Sequence, residues 1–134
     1  MVEARVIWTD KDRFLGDATS GHALVMDAGE TKTASTPVEL VLIALCGCTA
    51  SDVVGILRKK RERFTGLEVA AHGERAADFP KIYTHIKLVY RVRGPVTHKA
   101  MEDAVRLSKE KYCSVSAMLE KAAAKIEFEI EYVE

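Results

Sequence analysis

The stretch from Pro37 to Leu57, Pro-Val-Glu-Leu-Val-Leu-Ile-Ala-Leu-Cys-Gly-Cys-Thr-Ala-Ser-Asp-Val-Val-Gly-Ile-Leu, constrains this chain more than any other. A surface helix carries one apolar stripe at i, i+3 and i+4. Here Leu40, Val41, Leu42, Ile43, Ala44 and Leu45 leave no polar face, so a helix over this segment needs partners on several sides, from its own sheet or from another subunit. Its start is well signalled. Ser35 or Thr36 can cap the free N–H groups, Pro37 suits the first helical position, and Glu39 favours the positive end of the dipole. Arg58, Lys59, Lys60, Arg61 and Arg63 complement the negative end, and Thr65-Gly66 is the expected stop.

At 134 residues the chain fits one domain, 1–134, with one core; 48% hydrophobic and 30% charged residues are those of an ordinary globular protein. Twenty basic and twenty acidic residues cancel to a formal net charge of +0, so no overall field draws nucleic acid or an anionic membrane. No basic-then-apolar leader opens the chain, and the longest apolar run is read as interrupted by Glu39 and too short to span a bilayer. A cytoplasmic protein is expected. Three cysteines, an odd number, argue against a disulfide scaffold and leave core filling, metal binding or redox chemistry open.

Alternation at Val2, Ala4, Val6 and Trp8 predicts a half-buried first strand, and Arg13–Asp17 and His22–Met26 predict two more. After Gly66, Leu67, Val69 and Ala71, then Ile82, Thr84, Ile86, Leu88, Tyr90 and Val92, predict a long antiparallel hairpin. Thr97 is the N-cap of a helix through Lys111, a second short helix runs from about Val115 to Ala124, and Ile126, Phe128, Ile130 and Tyr132 alternate as a closing strand. The order predicts an α+β fold, with helices packed on antiparallel sheet. One sheet face cannot cover the central helix, so an intimate homodimer is expected.

Cys48 sits mid-helix in the apolar stretch, whereas Cys113 sits at a helix start, where aligned N–H dipoles lower a thiol's pKa. Cys113 therefore has a local reason to be reactive, and Cys48 needs help from elsewhere. Core filling is the plain alternative for both.

Together, Pro37-x-Glu-Leu-x-Leu-x-Ala-Leu-x-Gly-Cys48 on a long apolar helix and Cys113-Ser-Val-Ser116 at a later helix start resemble the OsmC/Ohr family of osmotically induced and organic-hydroperoxide-resistance proteins. The resemblance covers nearly the whole chain. Ser20-Gly-His-Ala-Leu-Val-Met-Asp27 and Cys48-Thr-Ala-Ser-Asp-Val-Val54 are most similar to its YhfA-like branch. The resemblance implies an OsmC-like fold, an intertwined homodimer and a thiol-dependent peroxidase, with Cys48 attacking the peroxide and Cys113 resolving the resulting sulfenic acid as a disulfide. It also implies an external dithiol reductant and no metal or organic cofactor. Peroxidase members hold the thiolate with an arginine and a glutamate. Arg13 fits the arginine's place once an indel is allowed; Val38 stands where the glutamate is usual, and Glu39 carries the carboxylate one residue later, about 100° around the helix. The alternative is a non-catalytic dimer of the same fold that binds a small ligand or acyl group.

Other residues point to less. Cys46 and Cys48, two apart on a helix, diverge by about 200° and cannot clasp one ion. His22, His72, His85 and His98 lack zinc spacing, although His22 lies in the branch-like motif. The run from Arg58 to Arg63 reads as a solvated helix end. Asp52, one turn after Cys48 on the same face, would raise the pKa of a nearby thiol.

Overall fold

The structure, a computed structural model, describes residues 1–121, 124–127 and 129–133. Strands β1 (Ala4–Asp10), β2 (Arg13–Ala18) and β3 (Ala23–Asp27) precede the long helix α1 (Pro37–Lys59). Strands β4 (Gly66–Arg75) and β5 (Tyr83–Arg93) follow, then α2 (His98–Leu107), a π-helical turn (Ser108–Tyr112) and α3 (Ser114–Lys121). They form two compact units, one of Met1–Gly47 with Val69–Tyr90, the other of Cys48–Glu68 with the described residues from Arg91 onward.

In the first unit β1, β2 and β3 form an antiparallel sheet in that order, with Val6 opposite Gly16 and Gly16 opposite Leu24, and Ile7, Leu15 and Val25 in the adjacent row. Directly opposed residues share a face and successive ones alternate. Val6, Trp8 and Leu24 thus lie on one face and Ile7, Leu15 and Val25 on the other, and all six are exposed. The expectation of a half-buried β1 is therefore corrected: every residue of the strand is exposed, because none of the described residues covers either of its faces.

Between β3 and α1 the chain is organised by Asp27, which is 4% exposed. Its carboxylate accepts from the backbone N–H of Gly29 (2.8 Å) and of Thr33 (3.0 Å) and from the Thr33 hydroxyl (2.7 Å). These donors, led by the Thr33 N–H, hold its pKa at about 2. The loop then delivers Thr36 as the N-cap of α1 in a capping box: the Glu39 N–H donates to Thr36 Oγ1 (3.1 Å), and the Thr36 N–H donates to Glu39 Oε1 (2.8 Å). The first turn is also fastened to the hairpin, where the Tyr83 hydroxyl donates to the Val38 carbonyl at 2.6 Å. Gly73 makes room for that ring, since a Cβ there would sit 2.8 Å from it.

The buried residues of α1 are Leu45, Thr49, Val53 and Leu57, four apart and so on one drifting stripe. Val41 and Ile43 remain exposed. With 23 residues, about 35 Å at 1.5 Å per residue, α1 is long and apolar enough by length and composition to cross a membrane. This overturns the expectation that the run is too short. The helix also ends earlier than Gly66: Arg61 takes a left-handed conformation (φ 56°), its N–H donates to the Arg58 carbonyl, and the Glu62 N–H donates to the Leu57 carbonyl. This is a Schellman stop built on a residue other than glycine.

In the second unit the base of the hairpin closes through Thr65 N–H to the Arg93 carbonyl (2.8 Å), and Gly94 (φ 102°) lies so close to residues 63–65 that no Cβ fits. Thr97 caps α2, accepting from the Ala100 N–H, and its hydroxyl donates to Glu62 at 2.7 Å. Ala100 and Ala104 are the buried residues of α2.

The expected closing strand is not formed by the described residues. Residues 124–127 and 129–133 carry no regular secondary structure, and Ile126 and Tyr132 are 89% and 92% exposed. Phe128 lies outside the described residues, as do the 122–123 positions of the expected second helix. Alternation makes a strand only where a neighbouring strand completes its ladder.

Two measurements check this reading. An L-residue in the left-handed region costs about 1 kcal/mol, so Arg61→Gly should raise the urea midpoint by a corresponding amount. Asp27 has a depressed folded pKa, so its contribution to stability is complete above the unfolded carboxylate value, about 3.9, and lost as pH falls through about 2. The gap in urea midpoint between the native chain and Asp27→Asn should be open at neutral pH and close between those two values.

Candidate functional site

Cys48 and Asp52 are one helical turn apart on α1, so both side chains leave the same face. The other half of the site comes from the junction between α2 and α3. There the π-helical turn gives the Cys113 N–H the Ser108 carbonyl, five residues back, at 2.8 Å. Cys113 then caps α3 with its sulfur in place of a hydroxyl: the Ser116 N–H donates to Sγ at 3.4 Å and the Ala117 N–H to the Cys113 carbonyl at 3.1 Å. The result brings Cys48 Sγ, Cys113 Sγ and a carboxylate oxygen of Asp52 all within 4.8 Å of one another.

A short polar chain fixes this arrangement. The Ser108 hydroxyl donates to Asp52 Oδ2 at 2.9 Å and lies 2.7 Å from the Thr49 hydroxyl. Ser108 and Thr49 are buried, at 0% and 2% exposure. Unpaired hydroxyls there would cost about 1–3 kcal/mol each, so each secures the other and aims the carboxylate toward the sulfurs.

Cys113 is buried and Cys48 half-buried. Burial pushes the Cys113 thiol above its ordinary pKa; the Cys48 thiol and the Asp52 carboxylate press the same way, and the Ser116 N–H opposes them. The expectation that its place at a helix start makes Cys113 reactive is therefore corrected, because desolvation outweighs the N–H groups. Asp52 is itself paired with Ser108, and its carboxylate acts on Cys113. Cys46 is likewise pushed up by burial.

Arg13 and Glu39 belong to the first unit, Cys48 and Cys113 to the second. The Arg13 guanidinium grips Asp10 with two hydrogen bonds, of 2.8 and 2.5 Å, and Glu39 is committed to the capping box with Thr36. Sequence reasoning missed Ser108. A serine five residues before a cysteine becomes a signal only once the π-helical turn is known, because an α-helix would direct the two elsewhere.

The family profile described as OsmC-like protein matches residues 29–129. The chain belongs to this family. Protein YhfA of Escherichia coli is 45% identical to this OsmC-like chain over 122 residues, 90% of the chain and 91% of YhfA. The crystal structure of a hypothetical protein from Aquifex aeolicus superposes with a TM-score of 0.80 at 36% identity, covering 90% of this chain and 87% of that one. An organic hydroperoxide resistance protein from Elizabethkingia anophelis shares the OsmC-like fold with a TM-score of 0.66 at 13% identity, covering 88% and 87%. The fold expectation is thereby met: antiparallel sheet and a long helix in an OsmC-like α+β fold. Alkylation followed by mass spectrometry should find Cys113 slow at neutral pH. Its reaction should rise only above the ordinary thiol range, and Asp52→Asn should move that rise to lower pH.

Proposed function

We propose that this OsmC-like chain is a thiol-dependent peroxidase in which Cys48 attacks the peroxide and Cys113 resolves the product. The observation that carries the proposal is the approach of the two sulfurs to within 4.8 Å. A disulfide needs about 2.05 Å, so the two sulfurs must close the difference when the bond forms. The Cys48 thiolate attacks the O–O bond, leaving a sulfenic acid and, once protonated, an alcohol or water. The Cys113 thiol then condenses with the sulfenic acid, releasing water, and an external dithiol returns the disulfide to two thiols by exchange. A groove of about 450 Å³ is lined by Asp52, Ile56, Leu107 and Tyr112 together with Lys59 and Lys60, and its apolar part suits the organic end of a hydroperoxide.

Arg13 as the cation and Glu39 as the carboxylate serving the thiolate belong to this proposal on the strength of the resemblance. Each must then be released from its contact with Asp10 or Thr36. A homodimer is also part of it, supported by the apolar rows on both faces of the β1–β3 sheet and by exposed Val41 and Ile43 on α1. A reducing cytoplasm and a role in stress resistance fit a reduced cysteine pair with a dithiol partner.

A second reading, a dimer that binds a small ligand or acyl group without turnover, is favoured by one observation. Among the described residues, no Lys, Arg or His forms a hydrogen bond or ion pair with Cys48, Asp52 or Cys113, so nothing cationic favours a thiolate there. Peroxide consumption with a supplied dithiol decides between them. Turnover of a bulky organic hydroperoxide that is lost in Cys48→Ser, with over-oxidation of Cys48 in Cys113→Ser, is the expected result. Thiols that stay reduced in the presence of peroxide would leave the binder.

A further inference from the structure

The same three donors, Cys48 Sγ, Cys113 Sγ and an Asp52 carboxylate oxygen, make an arrangement that the cysteine pair's redox role does not require. We propose that the reduced chain binds a thiophilic divalent cation of the zinc class through Cys48, Asp52 and Cys113. A tetrahedral zinc with Zn–S bonds of ~2.3 Å sets its sulfurs roughly 3.8 Å apart. Three atoms already within 4.8 Å of one another therefore need to close by at most about 1 Å between the sulfurs, and by little more between sulfur and carboxylate oxygen. The ligands come from two rigid places, an i, i+4 pair on α1 and the cap of α3. Cys46 points elsewhere on α1 and is not a member.

The surroundings are those of a supported metal site. Ser108 donates to Asp52 Oδ2 and is itself hydrogen-bonded to Thr49, which fixes the carboxylate and leaves Oδ1 for the ion. The Ser116 N–H donates to Cys113 Sγ, the kind of bond that steadies a coordinated thiolate. Electrostatics point the same way. Two thiolates and a carboxylate carry three negative charges, and among the described residues no cationic side chain is bonded to them. A divalent ion turns that mutual repulsion into attraction. Binding releases the two thiol protons, and three protein ligands leave the fourth position for water or an exogenous ligand. The disulfide form has no thiolate to offer, so metal binding and oxidation of the pair exclude each other.

The test uses the reduced full chain titrated with cobalt(II) alone, followed by absorbance, and needs no enzymatic activity. A thiolate-to-cobalt charge-transfer band with the intense visible bands of four-coordinate cobalt should saturate at one equivalent per chain and be displaced by zinc. Cys48→Ser and Asp52→Asn alter half-buried side chains, so their fold can be verified by circular dichroism. Each should weaken binding by roughly tenfold or more. Cys46→Ser should bind as the native chain does, and the oxidised pair should not bind. Absence of the charge-transfer band, its persistence in Cys48→Ser, or unchanged affinity in Asp52→Asn would overturn the proposal.

Discussion

The hydrogen-bond chain from Thr49 through Ser108 to Asp52 is the interaction on which the site depends. It joins the middle of an apolar helix to the first residue of the π-helical turn. Both hydroxyls are buried and hydrogen-bonded to each other, which favours keeping α1 and the turn in one register. That register places the sulfur of Cys113 beside that of Cys48. Polar residues in the most apolar helix of the chain thus serve to locate chemistry that hydrocarbon packing alone would leave loosely aimed.

Electrostatics set the character of the pair. Burial and the Asp52 carboxylate both favour the protonated form of Cys113, against one N–H donor from Ser116. A resolving thiol can tolerate this, because it need not ionise until a sulfenic acid stands beside it. An attacking thiol gains more from a nearby cation, and among the described residues no cationic side chain is bonded to Cys48, Asp52 or Cys113. Asp52 opposes the thiolate of Cys113 in the bare site, and the proposed shared cation would reverse that.

Much of the fold was legible. Thr36 and Glu39 signalled the start of α1, Thr97 that of α2, and strict alternation the hairpin, because capping and burial of one face are local properties. The end of α1 was misplaced because a left-handed Arg61 gives no compositional cue, whereas glycine at 66 gives a false one. Alternation led to β1 being read as half-buried and the closing segment as a strand, yet alternation does not say what covers a face or what completes a ladder. For the site, the two cysteines were legible from their motifs and Asp52 from its helical spacing. Ser108 was not, since it is brought in by a π-helical turn that no periodicity marks.

That turn also restricts the chain's history. Lys109, Glu110 and Lys111 are all exposed, and what the site takes from these three is their number rather than their chemistry. The five-residue step from the Ser108 carbonyl to the Cys113 N–H sets the phase between the buried hydroxyl and the sulfur. Removing one residue would restore an ordinary α-helical step and rotate everything after it by about 100°. The segment is thus free to drift in composition and fixed in length, so related chains that keep this pair should differ here by substitution and seldom by insertion or deletion.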